Sequence, residues 1–256
     1  MDNRYKKVLI TGGGRRLGSI VAKNLAKEGY SVFIHYYNSH LEAKETEKTI
    51  KNDGGEVFLL RKKLNNYSDC KILIDEFFSK HSKNNYENFV LINNASSFEH
   101  DTSESFTEEK LDLHLNVNFK IPTFLIKHFV INLPSDKSGS VINMLDAKLF
   151  GLNSDHYTYT LSKFSLMGLT KVSALSYAPK IRVNGLAPGF TLSNENQTEE
   201  DFERIRKMTL LGNNAYPEEI VEATKFLINT KSITGETILI DGGSHLSPQK
   251  RDAAFL

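Results

Sequence analysis

Val8-Leu9-Ile10-Thr11-Gly12-Gly13-Gly14-Arg15-Arg16-Leu17-Gly18 starts as an apolar β-branched run, turns on glycines and opens a helical pattern. Glycines at such a strand-to-helix turn let the chain close tightly. They also let backbone N–H groups approach a phosphate at the helix N-terminus, where the peptide dipoles favour negative charge. A glycine cluster alone is an ordinary turn. After a first strand, with another strand some 20 residues on, it is the opening of a β-α-β unit that holds a dinucleotide.

The same alternation continues outward from that unit. Strand-like runs lie at 8–11, 32–35, 57–61, 90–93, 141–144, 182–186 and 237–241, and helical patterns at 17–28, 41–52, 70–80, 108–132, 157–178 and 218–229. Most of the strands are continuously apolar, which means burial on both faces of a parallel sheet. Strand-helix alternation with this burial predicts an α/β, doubly wound sheet with right-handed crossovers. There is no repeat or Pro/Gly/Ser linker, so residues 1–256 are expected to form a single domain. Two stretches break the rhythm: a polar, acidic insert at 193–211 and an irregular tail at 245–256. The tail ends in the apolar Ala253-Ala254-Phe255-Leu256 and is expected to pack at a subunit interface near a neighbour's site.

Composition excludes several classes. The net charge of +1 gives no field that would hold nucleic acid or an acidic membrane. No apolar stretch approaches the roughly 20 residues of a bilayer span. The one cysteine, Cys70, cannot form an intrachain disulfide, which suits a reducing compartment, and the N-terminus carries no signal-peptide core, so the expected location is cytoplasmic. The eight histidines have no metal-ligand spacing, and there is no G-x-S-x-G nucleophile turn.

The end of the second strand bears on the cofactor. An acid there would hold a free ribose 2′-hydroxyl. The sequence reads His35-Tyr36-Tyr37-Asn38-Ser39 instead, while Arg15 and Arg16 stand in the glycine turn, where guanidinium groups could meet a 2′-phosphate. Missing acid and present base favour NADPH over NADH.

Tyr159-Thr160-Leu161-Ser162-Lys163 places a phenol and an ammonium on one helix face. A phenol with pKa near 10 is a poor acid-base group at neutral pH, and a neighbouring ammonium is expected to pull that value down. Tyr157 has Leu161 four residues on and so lacks the cationic partner.

Taken together, Thr11-Gly12, Asn93-Asn94-Ala95, Tyr159/Lys163, Arg182-Val183-Asn184 leading to Pro188-Gly189, and Asp241-Gly242-Gly243 resemble the short-chain dehydrogenase/reductase superfamily, in its order and from about residue 7 to 243. The resemblance implies a Rossmann-type sheet of seven strands in the order 3-2-1-4-5-6-7 and a homotetramer. It implies that Asn118 anchors a proton-relay water. Cofactor contacts are implied for Gly12, Arg15, Arg16, Leu17, His35, Tyr36, Asn38, Ser39, Leu64, Asn94, Ala95, Ser96, Met144, Lys163, Pro188, Gly189 and Thr191.

Three departures resemble the pteridine reductase branch: Arg16 where a glycine is expected in T-G-x-x-x-G-x-G, Ser96-Ser97-Phe98 after Asn94-Ala95, and Asp146 in place of the serine 13 residues before Tyr159. That likeness implies that Phe98 stacks on a pterin, that Arg16 and Ser96 touch both pterin and cofactor, and that Asp146 joins Tyr159 in proton delivery. An ionised carboxylate cannot donate to a ketone oxygen but suits a substrate with N–H groups or an imine nitrogen. Lys63 stands where many relatives carry an acid near the adenine. The expected function is therefore an NADPH-dependent dihydropterin reductase. A carbonyl reductase of the same superfamily, acting on an oxoacyl thioester or sugar, is the alternative. A nucleotide-sensing regulator without turnover would usually lack the tyrosine or lysine, and both are present.

Overall fold

The computed structural model describes residues 6–80, 86–193, 198–213, 215–252 and 255. Seven strands, β1 (Lys6–Thr11), β2 (Tyr30–Tyr36), β3 (Val57–Arg61), β4 (Asn88–Asn93), β5 (Ser138–Met144), β6 (Ile181–Pro188) and β7 (Thr237–Ile240), form one parallel sheet in the order 3-2-1-4-5-6-7. All seven strands expected from the sequence are present. The helices between them are α1 (Arg16–Lys27), α2 (His40–Asn52), α3 (Tyr67–Ser79), α4 (Glu108–Leu115), α5 (Ile121–Asn132), α6 (Tyr157–Tyr177), α7 (Glu199–Lys207) and α8 (Pro217–Asn229).

Alternate strand residues feed two cores, as burial on both faces requires. Val8, Ile10, Val32 and Ile34 face one side and pack with Val21 and Leu25 of α1 and Ile220 and Val221 of α8. Leu9, Phe33 and Leu91 face the other and pack with Leu73 and Phe77 of α3 and Leu125 and Phe129 of α5. Phe33 is fully buried and meets Phe77 edge-on at 5.1 Å, so truncation to alanine would cost about 3–5 kcal/mol.

The Arg182-Val183-Asn184 motif is part of this scaffold. The Arg182 guanidinium donates to the carbonyls of Leu227 and Ile228 at the end of α8, and Asn184 donates to Ile233, so the motif closes a helix C-terminus beneath β6.

The expected 108–132 helix needs refinement. The 108–132 segment is not one helix: a π-helical turn, Asn116–Lys120, separates α4 from α5. Pro122 has no N–H to give the carbonyl four residues back, that of Asn118, so the regular ladder cannot pass through. Within the polar 193–211 insert, Thr198 caps the amphipathic helix α7 by accepting from the Asp201 amide. The tail runs back over its own chain. Ala253, Ala254 and Leu256 lie outside the described residues, but Arg251 donates to Asp155 at 2.8 Å and Phe255 stacks on His156 at 5.8 Å.

Candidate active site

The site lies at the carboxyl ends of the central strands, where an open parallel sheet binds ligands. Its first wall is the glycine turn. Gly12 has φ +62°, and a Cβ on Gly18 would lie 2.6 Å from both the Asn94 side chain and the Gly12 carbonyl. Asn94 explains that closeness: its Nδ2 donates to the carbonyls of Thr11 and Gly12, while Thr11 Oγ1 accepts from the amides of Asn94 and Ala95. The Asn94-Ala95 pair thus braces the turn. The N-terminus of α1 has no side-chain cap and no acid in its first turn, which leaves its N–H groups for an anion. These are the features a dinucleotide pyrophosphate needs, so the residues present fit that group.

The two arginines of the turn divide. Arg15 is exposed at the start of α1 and follows Gly14, which lies close to Ser39 and Ala43. Arg16 adopts φ +50° and reaches across to donate to the Leu192 carbonyl at 3.5 Å. Its side chain lines a cavity of about 370 Å³ together with Phe98, Asp146, Tyr159 and Thr191. At the end of β2, His35 Nε2 meets the Lys62 carbonyl at 2.9 Å, and burial pulls its pKa down to about 4, so the ring is neutral. The Tyr36 hydroxyl meets His40 at 2.9 Å, and Lys63 lies over the Tyr37 ring at 5.8 Å. Asn38, Ser39 and Leu64 flank these groups in the chain. Pro188 and Gly189, at the end of β6, continue into Phe190 and Thr191 on the cavity wall.

The chemical centre joins β5 to α6. Tyr159 Oη donates to Asp146 Oδ2 at 2.6 Å. Asp146 also accepts from the Lys148 amide at 2.8 Å, which fixes its carboxylate at the end of β5. Lys163 donates to the Met144 carbonyl at 2.7 Å and sits 5.6 Å from the Tyr159 ring centre. This arrangement corrects the expectation that the ammonium depresses the phenol. Burial and the Asp146 carboxylate beside it push Tyr159 well above its usual value, so the hydroxyl keeps its proton. Burial likewise raises Asp146, against the opposing pull of Tyr159, the Lys148 amide and Lys163. Burial lowers Lys163 to about 8, with Asp146 acting the other way. Tyr157 is half-exposed against Phe106, away from this cluster.

Asn118 supports the centre with its whole side chain. Its Oδ1 accepts from the Ser97 amide at 2.9 Å and Ser96 Oγ at 3.1 Å, while its Nδ2 donates to the Ser97 carbonyl and to Ser162 Oγ. It therefore fastens the loop after β4 to α6. A second fastening was not legible in the sequence. The Glu99 amide donates to His114 Nε2, so His114 Nδ1 donates to Thr158 Oγ1 at 2.7 Å, and the Thr158 hydroxyl and amide donate to the buried Asp101. Between these two anchors Phe98 is carried to the cavity lip, half exposed and edge-on to Tyr159 at 4.6 Å.

A family described as enoyl-(acyl carrier protein) reductase, a branch of the short-chain dehydrogenases, matches residues 14–245. The chain is a short-chain dehydrogenase/reductase. Pteridine reductase 1 of Leishmania tarentolae is 31% identical over 283 residues, which cover 93% of this chain and 96% of that protein. A 3-oxoacyl-(acyl-carrier-protein) reductase of Staphylococcus epidermidis is 28% identical, with 94% and 99% covered. Among solved structures, FolM alternative dihydrofolate reductase 1 of Brucella canis, complexed with NADP, superposes with a TM-score of 0.88 at 34% identity and 95% coverage of each chain. The Brucella suis protein, also with NADP, gives 0.89 at 33% identity, covering 97% of this chain and 98% of that one. As a short-chain dehydrogenase/reductase, this protein is an oxidoreductase with its Tyr-Lys pair and glycine turn in place. Among the described residues no cluster could hold a metal, and no helix is long and apolar enough to cross a membrane.

Proposed function

We propose that this short-chain reductase uses NADPH to reduce a ring C=N bond of a dihydropterin. The observation that carries the reading is the Tyr159–Asp146 hydrogen bond at the cavity, next to the exposed Phe98 ring. The NADP in both Brucella structures supports the cofactor, and the Leishmania and Brucella relatives support the substrate class. The glycine turn and the open α1 N-terminus would hold the pyrophosphate, with Arg15, Asn38, Ser39 and Lys63 around the 2′-phosphate. The cofactor supplies the hydride.

Every other part of the chemistry belongs to this chain. As the imine carbon gains a hydride its nitrogen must gain a proton, and Tyr159 holds one at Oη. The phenolate left behind would stand beside a carboxylate, and Lys163 offsets that charge. Asp146 accepts from substrate N–H groups, a task for which the hydroxyl of a ketone reductase is not needed. Phe98 offers a flat face to a bicyclic ring, and Arg16 adds a guanidinium to the cavity wall. The Asn118 side chain is already fully engaged, so its part in a proton relay falls to the main-chain carbonyl. We further propose a homotetramer, to which the exposed apolar side chains of α5 and α6, such as Ile131, Val172 and Leu175, would contribute.

The test is NADPH oxidation with dihydrobiopterin, dihydromonapterin, dihydrofolate and an acetoacetyl thioester. Turnover of at least one pterin or folate, with poor turnover of the thioester, is expected. Efficient reduction of the thioester alone would overturn the proposal in favour of a carbonyl reductase.

A further inference from the structure

The ring of Phe98 does not stand alone at the cavity lip. Its face lies on the imidazole of His156, with ring centres 3.9 Å apart and planes 19° from parallel. The same imidazole also stacks with Phe255 of the C-terminal strap, at 5.8 Å and 23°. His100 meets both edge-on, at 5.3 Å from His156 and 4.6 Å from Phe255. We propose that His156 is a positioning residue that sets the plane of Phe98 for substrate and ties that plane to the chain's own C-terminal strap.

The local geometry of His156 has no other evident purpose. It sits at φ +55°, ψ +52° as the residue before α6, in the left-handed region that side chains other than Asn, Asp and His rarely adopt. It gives that helix no side-chain cap. Its Nδ1 meets the Glu99 carbonyl at 3.1 Å, and a carbonyl can only accept, so Nδ1 carries the hydrogen. Nε2 is then a bare acceptor, and among the described residues it is buried without a partner. A residue chosen only for packing would not bury an unpaired nitrogen there. A residue chosen to hold a flat ring at a fixed tilt would accept that cost, because the Glu99 bond stops rotation of the imidazole. Glu99 itself follows Phe98 directly and is anchored by His114, so ring and loop are fixed from the same two residues.

The strap closes the outside of the stack. Asp155, the residue before His156, is buried and accepts from Arg251 Nε and from the Asp252 amide, both at 2.8 Å. Lys148 pairs with Asp252 at 3.1 Å. Residues 155 and 156 therefore join the strap to the substrate wall.

This inference rests on the proposed role of Phe98 toward substrate, and a double-mutant cycle separates the two. His156→Asn tolerates the left-handed backbone and removes only the ring. It should raise the substrate KM about three- to tenfold, the worth of one aromatic pair, with kcat and the NADPH KM within about twofold of wild type. Phe98→Ala should raise the substrate KM at least as much. Acting through Phe98, His156→Asn should then add nothing to Phe98→Ala in the double variant. His156→Phe, which restores a ring, should recover part of the loss. The inference is overturned if His156→Asn leaves the substrate KM unchanged, if the two effects multiply, or if kcat and NADPH binding fall together with the melting temperature. Should wild type reduce only the thioester, the pterin reading fails, while the same cycle measured on the thioester still decides the role of His156.

Discussion

Tyr159 gives its hydroxyl hydrogen to Asp146 at 2.6 Å while Lys163, one helical turn on, turns to the Met144 carbonyl. The phenol is thus held as an acid, with its proton in place before substrate arrives. Tyr159→Phe should lower kcat by about 10²–10⁴-fold and leave NADPH affinity near wild type, read by steady-state kinetics and cofactor fluorescence. Asp146→Ser should lose most pterin activity and gain thioester reduction. Unchanged pterin turnover in either variant would contradict the assignment.

The alkaline limit of activity should come from Lys163. Burial lowers its pKa to about 8, so the ammonium is present below that pH and lost above it. The wild-type kcat/KM should fall as pH rises past about 8. Asp146 is the group that opposes burial, so the residual activity of Asp146→Asn should show its alkaline limb at a lower pH. A limb that stays in place would remove Lys163 from this role.

The cofactor preference should follow Arg15 more than Arg16. Arg16 faces the cavity and the Leu192 carbonyl, whereas Arg15 is exposed and does not line that cavity. Arg15→Ala should narrow the NADPH over NADH ratio of kcat/KM, by about fivefold for one exposed charge-assisted contact. Arg16→Ala should act mainly on the substrate KM. Equal use of NADH by wild type would refute the expected preference.

The strap should depend on Asp155. Burial pushes its carboxyl up, but Arg251, the Asp252 amide and His100 pull harder and hold it at about 2. With the folded value below the ordinary 3.8, this stabilisation is complete above that pH and disappears as pH falls toward 2. Asp155→Asn at neutral pH should therefore speed trypsin cleavage at Lys250 and Arg251 severalfold, followed by mass spectrometry. Cleavage at the wild-type rate would show that the latch lies elsewhere.

Much of this was written in the chain. Short continuous apolar runs marked the strands and period-3.6 patterns the helices, because burial on both faces of the sheet leaves an apolar run that turns punctuate. The Tyr159–Lys163 spacing and Asp146 were legible because their separation along a helix and a strand end fixes where they point. The direction of the Tyr159 shift was not, because it depends on which neighbour the ammonium faces, and a spacing does not say that. The π turn around Asn118 was signalled only by Pro122. The His114–Thr158–Asp101 chain and the stack of Phe98 on His156 join residues 44 to 58 positions apart, and single-sequence patterns carry no trace of such pairs.

Arg16 sets backbone comfort against the chemistry of the cavity wall. Its φ of +50° is a conformation in which glycine is at ease and a side chain costs about 1–2 kcal/mol. Arg16→Gly should accordingly raise the melting temperature by a few degrees while emptying one wall of the cavity of its charge. A screen that rewards heat resistance alone would select that change early and lose the guanidinium with it. Stability and the charge on the cavity wall thus pull this one position in opposite directions.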